Sequence, residues 1–375
     1  MGNPLYKKIE IAFRRNVVRT LSVFVRRERP YPINNDFNHC KFLFVRQDMI
    51  GDVLVSTPLF EILKRHYPDA AVDVLLSSSN HFVLANDPLI RKRWIYDKRI
   101  GTTWRLVNNI RRERYDFVID LMDNPSTTST LFCLLAGGRR NVGLEKDNAY
   151  AYDIVIPLQS RRDTHIIERI AQLLVPFHID VSNEKLSPRY FTSAASEESA
   201  KAFISENGLE NKFNIGINIS AGDETRYWGT SKFQELIRYI RSRHADFRII
   251  VLFKPSDFET AATIQQPFPE VVLSPRTDSF DQFASLIRRL NLLVTPDTSA
   301  VHLAAAFNIP SIVLYVQSNK DLRIWEPYQT LSECLVTNVD DLSTIPSSDV
   351  AAALEKILRK IRVSPTTHSP SEARR

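Results

Sequence analysis

Strand-like and helix-like segments alternate along almost the whole of this chain, and that alternation limits the fold more than any other feature. Short runs of apolar, β-branched and aromatic residues, such as Phe42–Arg46 and Phe247–Phe253, predict buried strands. Amphipathic segments such as Ser231–Arg243 predict helices between them. A repeated β–α order is typical of parallel sheets covered by helices on both faces, so we predict an α/β protein. The predicted strands are Phe42–Arg46, Ala71–Leu76, Phe117–Leu121, Asn141–Gly143, Ala151–Pro157, Phe213–Ser220, Phe247–Phe253, Glu270–Ser274, Leu292–Pro296 and Ser311–Tyr315.

The alternation runs twice, with a polar stretch between its two halves. Around Asp180–Ser199 the composition becomes polar and includes Pro188, so we place the boundary between two domains there. In doubly wound sheets ligands bind beyond the carboxyl ends of the strands, which directs attention to the loops that follow strands. The predicted divisions are a basic N-terminal segment (1–38), two Rossmann-like domains (39–190 and 205–362) and a polar, disordered tail (363–375).

The positive charge of the chain is concentrated at its N-terminus. The formal net charge is +6, and residues 1–30 contain eight basic and two acidic side chains, whereas the remainder is balanced, with 41 of each sign. Apolar residues would line one face of a helix there, which is typical of a membrane-surface element. The alternative is a helix packed on its own domain with a solvated basic face. Because the rest of the chain is neutral, nucleic-acid binding is poorly supported. The apolar residues are Ile9, Phe13, Val17, Leu21 and Phe24.

Several common classes of enzyme leave no signature in the sequence. The motifs GxGxxG, GxxxxGK[ST] and GxSxG are absent, which disfavours dinucleotide oxidoreductases, P-loop nucleotide hydrolases and serine hydrolases. A DxD triplet is also absent, which weakens a metal-dependent glycosyl transfer. Cys40, Cys133 and Cys334 lack the spacing of a zinc site or a disulfide framework. No run approaches the roughly 20 apolar residues of a membrane span. We therefore expect no metal and no other cofactor.

The loop after the first predicted strand, QDMIGDVLVSTP, carries two carboxylates. Gly51 would let the chain turn without a Cβ, and Asp52 would then lie at or near the N-terminus of the next helix. An aspartate at that position is often a cap that satisfies amide donors, and the alternative is a catalytic carboxylate. Asp48 lies in the same loop and is expected to pair with Arg46.

A second loop follows the predicted strand Phe213–Ser220 and opens with Gly222. It contains Thr225 and Arg226, and a hydroxyl, loop amides and an arginine together suit a phosphate group. The alternative for Arg226 is an ordinary surface charge. Trp228 is expected to pack in the core beneath the loop rather than to stack on a nucleotide base.

A third loop, after the predicted strand Leu292–Pro296, opens a helix that carries His302 in its first turn. Asp297, Thr298 and Ser299 stand at the helix start, where free amides, hydroxyls and the positive end of the helix dipole form an anion site. The alternative is a well-capped helix with His302 exposed, although capping alone does not require a histidine there.

The three loops together resemble the heptosyltransferase-like glycosyltransferases of family 9, bacterial enzymes that build the lipopolysaccharide core and related surface glycans. The resemblance covers roughly residues 41–361. The first family motif, R-x-D/S-x-x-G-D-x-x-x-x-T-P, is matched by Arg46, Asp48, Gly51, Asp52, Thr57 and Pro58. The late motif, D-T-G/S-x-x-H-x-A-x-A, is matched by Asp297, Thr298, Ser299, His302, Ala304 and Ala306. The basic residue shortly before a tryptophan is Arg226, before Trp228.

This resemblance implies the GT-B fold, with two Rossmann-like domains facing across a cleft, and an inverting transfer. Asp52 would be the general base, taking the proton from an acceptor hydroxyl as that oxygen attacks the anomeric carbon of a nucleoside-diphosphate sugar. A lipid-linked glycan acceptor would place the enzyme in the cytoplasm, on the inner face of the bacterial inner membrane, held there by residues 1–30. Donor phosphates would be bound, in place of a metal, by Thr225, Arg226, Asp297, Thr298, Ser299 and His302. Acceptor-side or loop support would come from Arg46, Asp48, Gly51 and Thr57.

Some positions depart from the family pattern and leave the substrate open. Ser299 replaces the more usual glycine and Asp48 the serine of typical heptosyltransferases, so the resemblance does not fix ADP-heptose as the donor. The contact to the nucleotide ribose is open between Asp257 and Glu259. Two other functions are also open: a GT-B nucleotide-sugar epimerase, which needs no lipid acceptor, and a non-catalytic nucleotide- or glycan-binding protein on the same scaffold.

Overall fold

The protein is described by a computed structural model that covers residues 36–317 and 323–363, together with Asn16 and Thr20. The chain divides into two compact units, Met1–Phe191 and Thr192–Arg375. Each unit contains one parallel sheet with flanking helices, so the predicted α/β class is confirmed.

Of the predicted N-terminal helix within residues 1–30 only Asn16 and Thr20 are described, and both are helical; the remainder, and the predicted tail beyond Val363, lie outside the described residues. Val363 itself still belongs to the last helix. In the part of the chain that the structure describes, no helix combines the length and the apolar character needed to cross a membrane.

The sheet of the first unit has six parallel strands in the order β3-β2-β1-β4-β5-β6. Central strands of such sheets are buried on both faces and therefore read as continuous apolar runs, as the sequence KFLFV of β1 does. Val45, at the end of β1, lies opposite Leu75 on one side and Asp120 on the other. The strands are β1 (Lys41–Val45), β2 (Ala71–Ser77), β3 (Lys92–Tyr96), β4 (Phe117–Asp120), β5 (Arg140–Leu144) and β6 (Ile154–Ile156).

The sheet of the second unit repeats this topology, in the order β12-β11-β10-β7-β8-β9. Its core contains the fully buried Trp228 and Phe233, whose rings meet edge to face with centroids 5.0 Å apart. The strands are β7 (Asn214–Asn218), β8 (Arg248–Leu252), β9 (Val272–Leu273), β10 (Leu292–Pro296), β11 (Ser311–Val316) and β12 (Ser332–Thr337).

Helices connect the strands of both sheets, as parallel pairing requires. Short 3-10 turns lie between some of them, including Gln172–Phe177, which directly follows the helix Ile166–Ala171. The α-helices are α1 (Ile50–His66), α2 (Ile100–Glu113), α3 (Thr127–Leu135), α4 (Ile166–Ala171), α5 (Ala194–Glu206), α6 (Thr230–Arg243), α7 (Phe258–Gln265), α8 (Phe280–Ile287), α9 (Ser299–Ala306) and α10 (Ser347–Val363).

Four elements were not predicted. Strands β3 and β12 stand at sheet edges, where polar and charged residues interrupt the apolar run that marks a central strand. Helix α3 was also missed. Helix α5 falls inside the polar stretch taken as the domain boundary and belongs to the second unit, which begins before residue 205.

The order of strands creates a topological switch point in each sheet, between β1 and β4 in the first unit and between β7 and β10 in the second. Crevices at the carboxyl ends of strands beside such points are where doubly wound proteins bind ligands. The loops after β1, β7 and β10 are the three loops that the sequence singled out.

Candidate functional site

Arg46 follows β1 and is the buried centre of the β1 loop, residues 46–52. Its side chain is 1% exposed, and it donates hydrogen bonds to Leu121 O at 2.6 Å and to Asp52 O at 2.9 Å. Its Nη1 lies 3.4 Å from Asp48 Oδ2 and its Nη2 lies 3.3 Å from Asp52 Oδ1. A buried guanidinium is stable only when paired in this way. Arg46 therefore holds both carboxylates of the loop, which confirms the predicted pairing with Asp48.

Asp52 stands at the third position of α1, and its carboxylate caps the helix. Its Oδ2 accepts a hydrogen bond from Met49 N at 3.0 Å, while its Oδ1 faces Arg46. The prediction that Asp52 lies at a helix N-terminus is thus confirmed. The side chain remains 12% exposed, and an ionised carboxylate has about four acceptor positions, so capping leaves room for a further donor.

Asp48 occupies a more isolated position in the same loop. Its Oδ1 is buried and has no hydrogen-bond partner among the described residues, and the same is true of both amide atoms of Gln47. Burial raises the pKa of Asp48 to about 7, with Arg46 acting against this rise and the charge of Asp52 adding to it. Unpaired buried polar atoms of this kind need an explanation, and a ligand that hydrogen-bonds to them is one.

The other three residues of the first motif, Gly51, Thr57 and Pro58, all lie within α1. Gly51 lies inside the first turn of α1 and is not among the glycines with positive φ, so its predicted role as a turn residue is wrong. Pro58 lies within α1 and cannot donate to the carbonyl four residues earlier. Thr57 Oγ1 donates to that carbonyl, Leu54 O, at 2.7 Å and accepts from Arg189 N at 2.8 Å. Thr57 therefore supports the helix and lies away from the two carboxylates.

A charged network that was not predicted lies at the end of β4, the strand next to β1. Asp120 is fully buried and pairs with Lys146 Nζ at 3.1 Å, while Tyr152 OH donates to it at 2.5 Å. Asp123 pairs with Arg169 Nη2 at 2.7 Å. Asp120 is the last residue of β4 and Asp123 lies in the loop that follows, and carboxylates at the carboxyl end of a predicted strand are the signal that would have found them.

Replacing Asp48 with asparagine should change how stability depends on pH. The folded protein binds the Asp48 proton with a pKa of about 7, whereas the unfolded chain binds it near the usual pKa of about 3.9. The contribution to the free energy of unfolding is therefore full below about pH 4, declines as pH rises and is lost above about pH 7. We expect the unfolding free energy of the wild type minus that of Asp48→Asn to fall by up to about 1.4 kcal/mol per pH unit in this window.

Urea denaturation at a series of pH values from 4 to 8 measures this difference. Asp180→Asn is the control, because Ser182 holds the pKa of the exposed Asp180 carboxyl below its usual range. The unfolding free energy of the wild type minus that of Asp180→Asn should not decline between about pH 5 and pH 8. If the difference between the wild type and Asp48→Asn did not depend on pH, the raised pKa of Asp48 in the folded protein would be contradicted.

Arg226 lies in the β7 loop, residues 219–229, between two carboxylates. Its Nη1 is 3.3 Å from Asp297 Oδ2, and its Nε is 3.7 Å from Asp223 Oδ2. The side chain is 41% exposed. Thr225 is exposed, and its hydroxyl donates to Asp223 Oδ1 at 2.5 Å. The structure thus brings Arg226 to Asp297, while Thr225 is turned toward its own loop.

Asp297 follows β10, and its carboxyl group is the partner that orients Arg226. Burial raises the pKa of Asp297, and Arg226 partly offsets this rise. Because the pair joins the loops after β7 and β10, it lies at the topological switch point of the second sheet. An arginine oriented in this way and still partly exposed presents donors to an anion.

The N-terminus of α9 adjoins this pair in the sequence. Thr298 is the N-cap, and its Oγ1 accepts a hydrogen bond from Ala300 N at 3.3 Å. Asn218 Nδ2, at the end of β7, donates to Thr295 Oγ1 at 2.9 Å and lies 3.5 Å from Thr298 Oγ1. Ser299 is the first residue of the helix. These contacts fix a helix N-terminus, whose free amides and dipole attract anions, beside the end of β7.

His302 lies in the first turn of α9, as predicted, but the alternative of an exposed histidine is wrong. Its side chain is 4% exposed, and burial lowers its pKa to about 4. The imidazole is therefore neutral near pH 7 and has one N–H donor and one acceptor nitrogen. Within the described ranges, no hydrogen bond to another side chain or to the backbone occupies it.

The remaining predicted residues of the second unit support the loops. Trp228 is fully buried and donates from Nε1 to Ile345 O at 2.9 Å, so core packing is confirmed. Asp257 accepts from Ser220 Oγ at 2.8 Å and so braces the β7 loop, whereas Glu259 is exposed in the first turn of α7. Among residues 36–317 and 323–363, no group of three or more His, Cys, Asp or Glu side chains is placed to hold a metal ion.

Comparison with known proteins shows what this pair of units is similar to. The sequence model of glycosyltransferase family 9 (heptosyltransferase) matches residues 103–349. Lipopolysaccharide heptosyltransferase 3 of Escherichia coli strain K12 is 26% identical over 341 residues, which cover 82% of this chain and 95% of that protein.

Two solved structures show the same fold. The glycosyl transferase family 9 structure from Veillonella parvula DSM 2008 has a TM-score of 0.75 and 19% identity, and the match covers 87% of this chain and 100% of that one. The E. coli ADP-heptose lipopolysaccharide heptosyltransferase II has a TM-score of 0.67 and 20% identity, covering 86% and 99%. The likeness agrees with the GT-B fold that the motifs implied.

Proposed function

The chain is a glycosyltransferase that belongs to family 9, and from that premise we propose that it transfers heptose or a related sugar to a lipid-linked acceptor of the lipopolysaccharide core. The donor we propose is ADP-heptose, because a structural neighbour is an ADP-heptose lipopolysaccharide heptosyltransferase. The related E. coli protein is a lipopolysaccharide heptosyltransferase, which supports the acceptor class.

In this proposal Asp52 is the general base in the first unit. Its carboxylate takes the proton of the acceptor hydroxyl while that oxygen attacks the anomeric carbon of the donor sugar, and the bond to the nucleoside diphosphate breaks. A single displacement inverts the configuration at that carbon. The partial exposure of Asp52 and its fixed position against Arg46 and Met49 support this role, because a base must be both accessible and held in place.

The second unit, in this proposal, binds the donor and stabilises the leaving diphosphate. The observation that carries the proposal is the Arg226–Asp297 pair, which orients a partly exposed guanidinium beside the N-terminus of α9. Fixed donors of this kind are most effective where negative charge develops in the transition state, and here they replace the divalent metal of other transferases. Thr298, Ser299 and the neutral His302 supply further donors.

Binding of the nucleotide is the first test of this proposal. ADP should raise the thermal unfolding temperature, whereas UDP, GDP and CMP should have little effect. At a concentration 100 times its Kd, a ligand adds about 2.7 kcal/mol to the stability of the folded state. Asp52→Asn should respond to ADP as the wild type does, because Asp52 is assigned to the acceptor. No response to any nucleotide would favour a binding protein on the same scaffold.

We further propose that the protein works in the cytoplasm, at the inner face of the bacterial inner membrane, where a lipid-linked acceptor is accessible. The basic, amphipathic character of residues 1–30 supports this location. Deleting them should lower the fraction of the protein that sediments with membranes, and an unchanged fraction would contradict this role of residues 1–30.

A further inference from the structure

Two large apolar side chains stand exposed at the N-terminal end of α2. Ile100 is 91% exposed and Trp104 is 63% exposed. They are four residues apart on a helix and therefore lie on the same face, one turn from each other. We call this surface, together with the basic residues Lys98, Arg99 and Arg105, the α2 tip.

The α2 tip is held in a fixed conformation. Asp97 Oδ1 accepts hydrogen bonds from Arg99 N at 3.0 Å and Thr102 Oγ1 at 2.5 Å, which sets the turn that leads into α2. Further along α2, Val107 and Ile110 lie in the core of the first unit, and Val107 is three residues after Trp104, so the exposed pair continues the apolar stripe of the helix beyond the core. Ile100 and Trp104 are exposed because they lie in the first two turns of α2, before the part of the helix that packs on the core.

The apolar pair is surrounded by positive charge. Lys98, Arg99 and Arg105 are exposed, and in the described part of the chain none of them forms an ion pair. Residues 91–114 contain nine basic and two acidic side chains. Of the two acids, Asp97 is engaged in the turn and Glu113 is bound by Arg91 and Lys92 at the opposite end of α2. Asp97 offsets one of the three basic side chains, Lys98, Arg99 and Arg105, so the tip keeps a net positive charge.

The tip lies at the carboxyl edge of the first sheet. It follows β3, the edge strand, and β1 is two strands away. Since neighbouring strands are about 4.8 Å apart, the end of β3 is about 10 Å from the end of β1, where the β1 loop begins. The α2 tip and Asp52 thus share one edge of the first unit.

We propose that the α2 tip docks on an anionic lipid bilayer, with Ile100 and Trp104 entering the headgroup region and the three basic side chains binding lipid phosphates. An apolar pair rimmed by cations complements a negatively charged membrane surface, and tryptophan favours that interface. This docking site is separate from residues 1–30 and does not depend on sugar transfer. Docking at this site would turn the sheet edge that carries Asp52 toward a lipid-linked acceptor. This last consequence rests on the proposed function.

Flotation of the full chain with vesicles tests the proposal. Vesicles of phosphatidylglycerol and phosphatidylethanolamine are compared with vesicles of phosphatidylcholine. The double variant Ile100→Glu/Trp104→Glu should lower the partition constant for anionic vesicles by about tenfold or more. Val339→Glu is the matched control, because Val339 is 51% exposed but belongs to the second unit, and it should change partition by less than about twofold.

Two further measurements distinguish binding of the α2 tip to a bilayer from binding to another partner. Trp104→Phe should still float with anionic vesicles but lose the blue shift of tryptophan emission that the wild type shows on binding. The charge variant Lys98→Gln/Arg99→Gln/Arg105→Gln should also float less, and wild-type binding should weaken as salt rises. Unchanged flotation of the Ile100→Glu/Trp104→Glu variant would overturn the proposal. So would a concentration-dependent dimer that this variant abolishes, because a second copy of the chain would then be the partner.

Discussion

Asp52→Asn should lower kcat for sugar transfer by about a thousandfold while leaving the Kd for ADP unchanged. General-base catalysis contributes about 10²- to 10⁴-fold, and the asparagine keeps the size and one acceptor oxygen of the side chain but cannot take a proton. The Met49 amide can still bond to that oxygen, so the start of α1 should survive. Steady-state kinetics with varied acceptor, together with calorimetric titration of ADP, measures both quantities.

Glu168→Gln is the matched control for this loss. Glu168 has the same local role in α4, where its Oε2 accepts a hydrogen bond from His165 N at 3.0 Å at the third position of the helix. If Asp52 were only a helix cap, the two variants would lose similar stability and both would keep their activity. If Asp52→Asn kept the kcat of the wild type, Asp52 would not be the general base.

Arg226→Ala should act on the donor. We expect kcat/KM for the nucleotide-sugar to fall by about 10²- to 10³-fold, as is typical when one preorganised donor to a developing negative charge is removed. The Kd for ADP should weaken by about tenfold to a hundredfold, since a charge-assisted hydrogen bond is worth roughly 1.5–3 kcal/mol. The kcat/KM and the Kd of Arg226→Lys should lie between those of the wild type and those of Arg226→Ala. Lysine keeps a charge but not the forked geometry that holds Asp297.

Arg241→Ala provides the control for loss of a surface arginine. Arg241 is 44% exposed on α6 and pairs with Glu270, away from the loops after β7 and β10. Arg241→Ala should change neither kcat/KM for the nucleotide-sugar nor the Kd for ADP. If Arg226→Ala bound ADP as tightly as the wild type, Arg226 would be an ordinary surface charge, as one interpretation of the sequence allowed.

The central strands and the three loops could be predicted because local patterns reveal them. A strand buried on both faces needs a continuous apolar run, as β1 and β10 have, and the loops follow directly from the strand ends. Asp52 was predicted at a helix start and lies there. Edge strands such as β3 need no such run, and α5 buries only a narrow face that includes Ala200 and Ile204, so its polar sequence resembled a linker.

The long-range contacts of the site could not be predicted in the same way. The pairing of Asp120 with Lys146 joins residues 26 positions apart and depends on β4 and β5 being neighbours. The burial of His302 likewise follows from tertiary packing rather than from the helix pattern. The α2 tip was missed because charge beyond residue 30 was counted as one total, in which acidic residues elsewhere balance the excess within 91–114.

The most direct test of the central claim is to incubate the wild type with ADP-heptose and a truncated lipopolysaccharide-core acceptor, measuring released ADP and the mass of the acceptor together. The account predicts that the acceptor gains one heptose for each ADP released, with inverted anomeric configuration, and that neither product forms without acceptor. Consumption of ADP-heptose with no change in the acceptor would contradict it and indicate an epimerase or a hydrolase. Binding of ADP without any turnover would contradict it as well, and would leave Asp52 as the cap of α1.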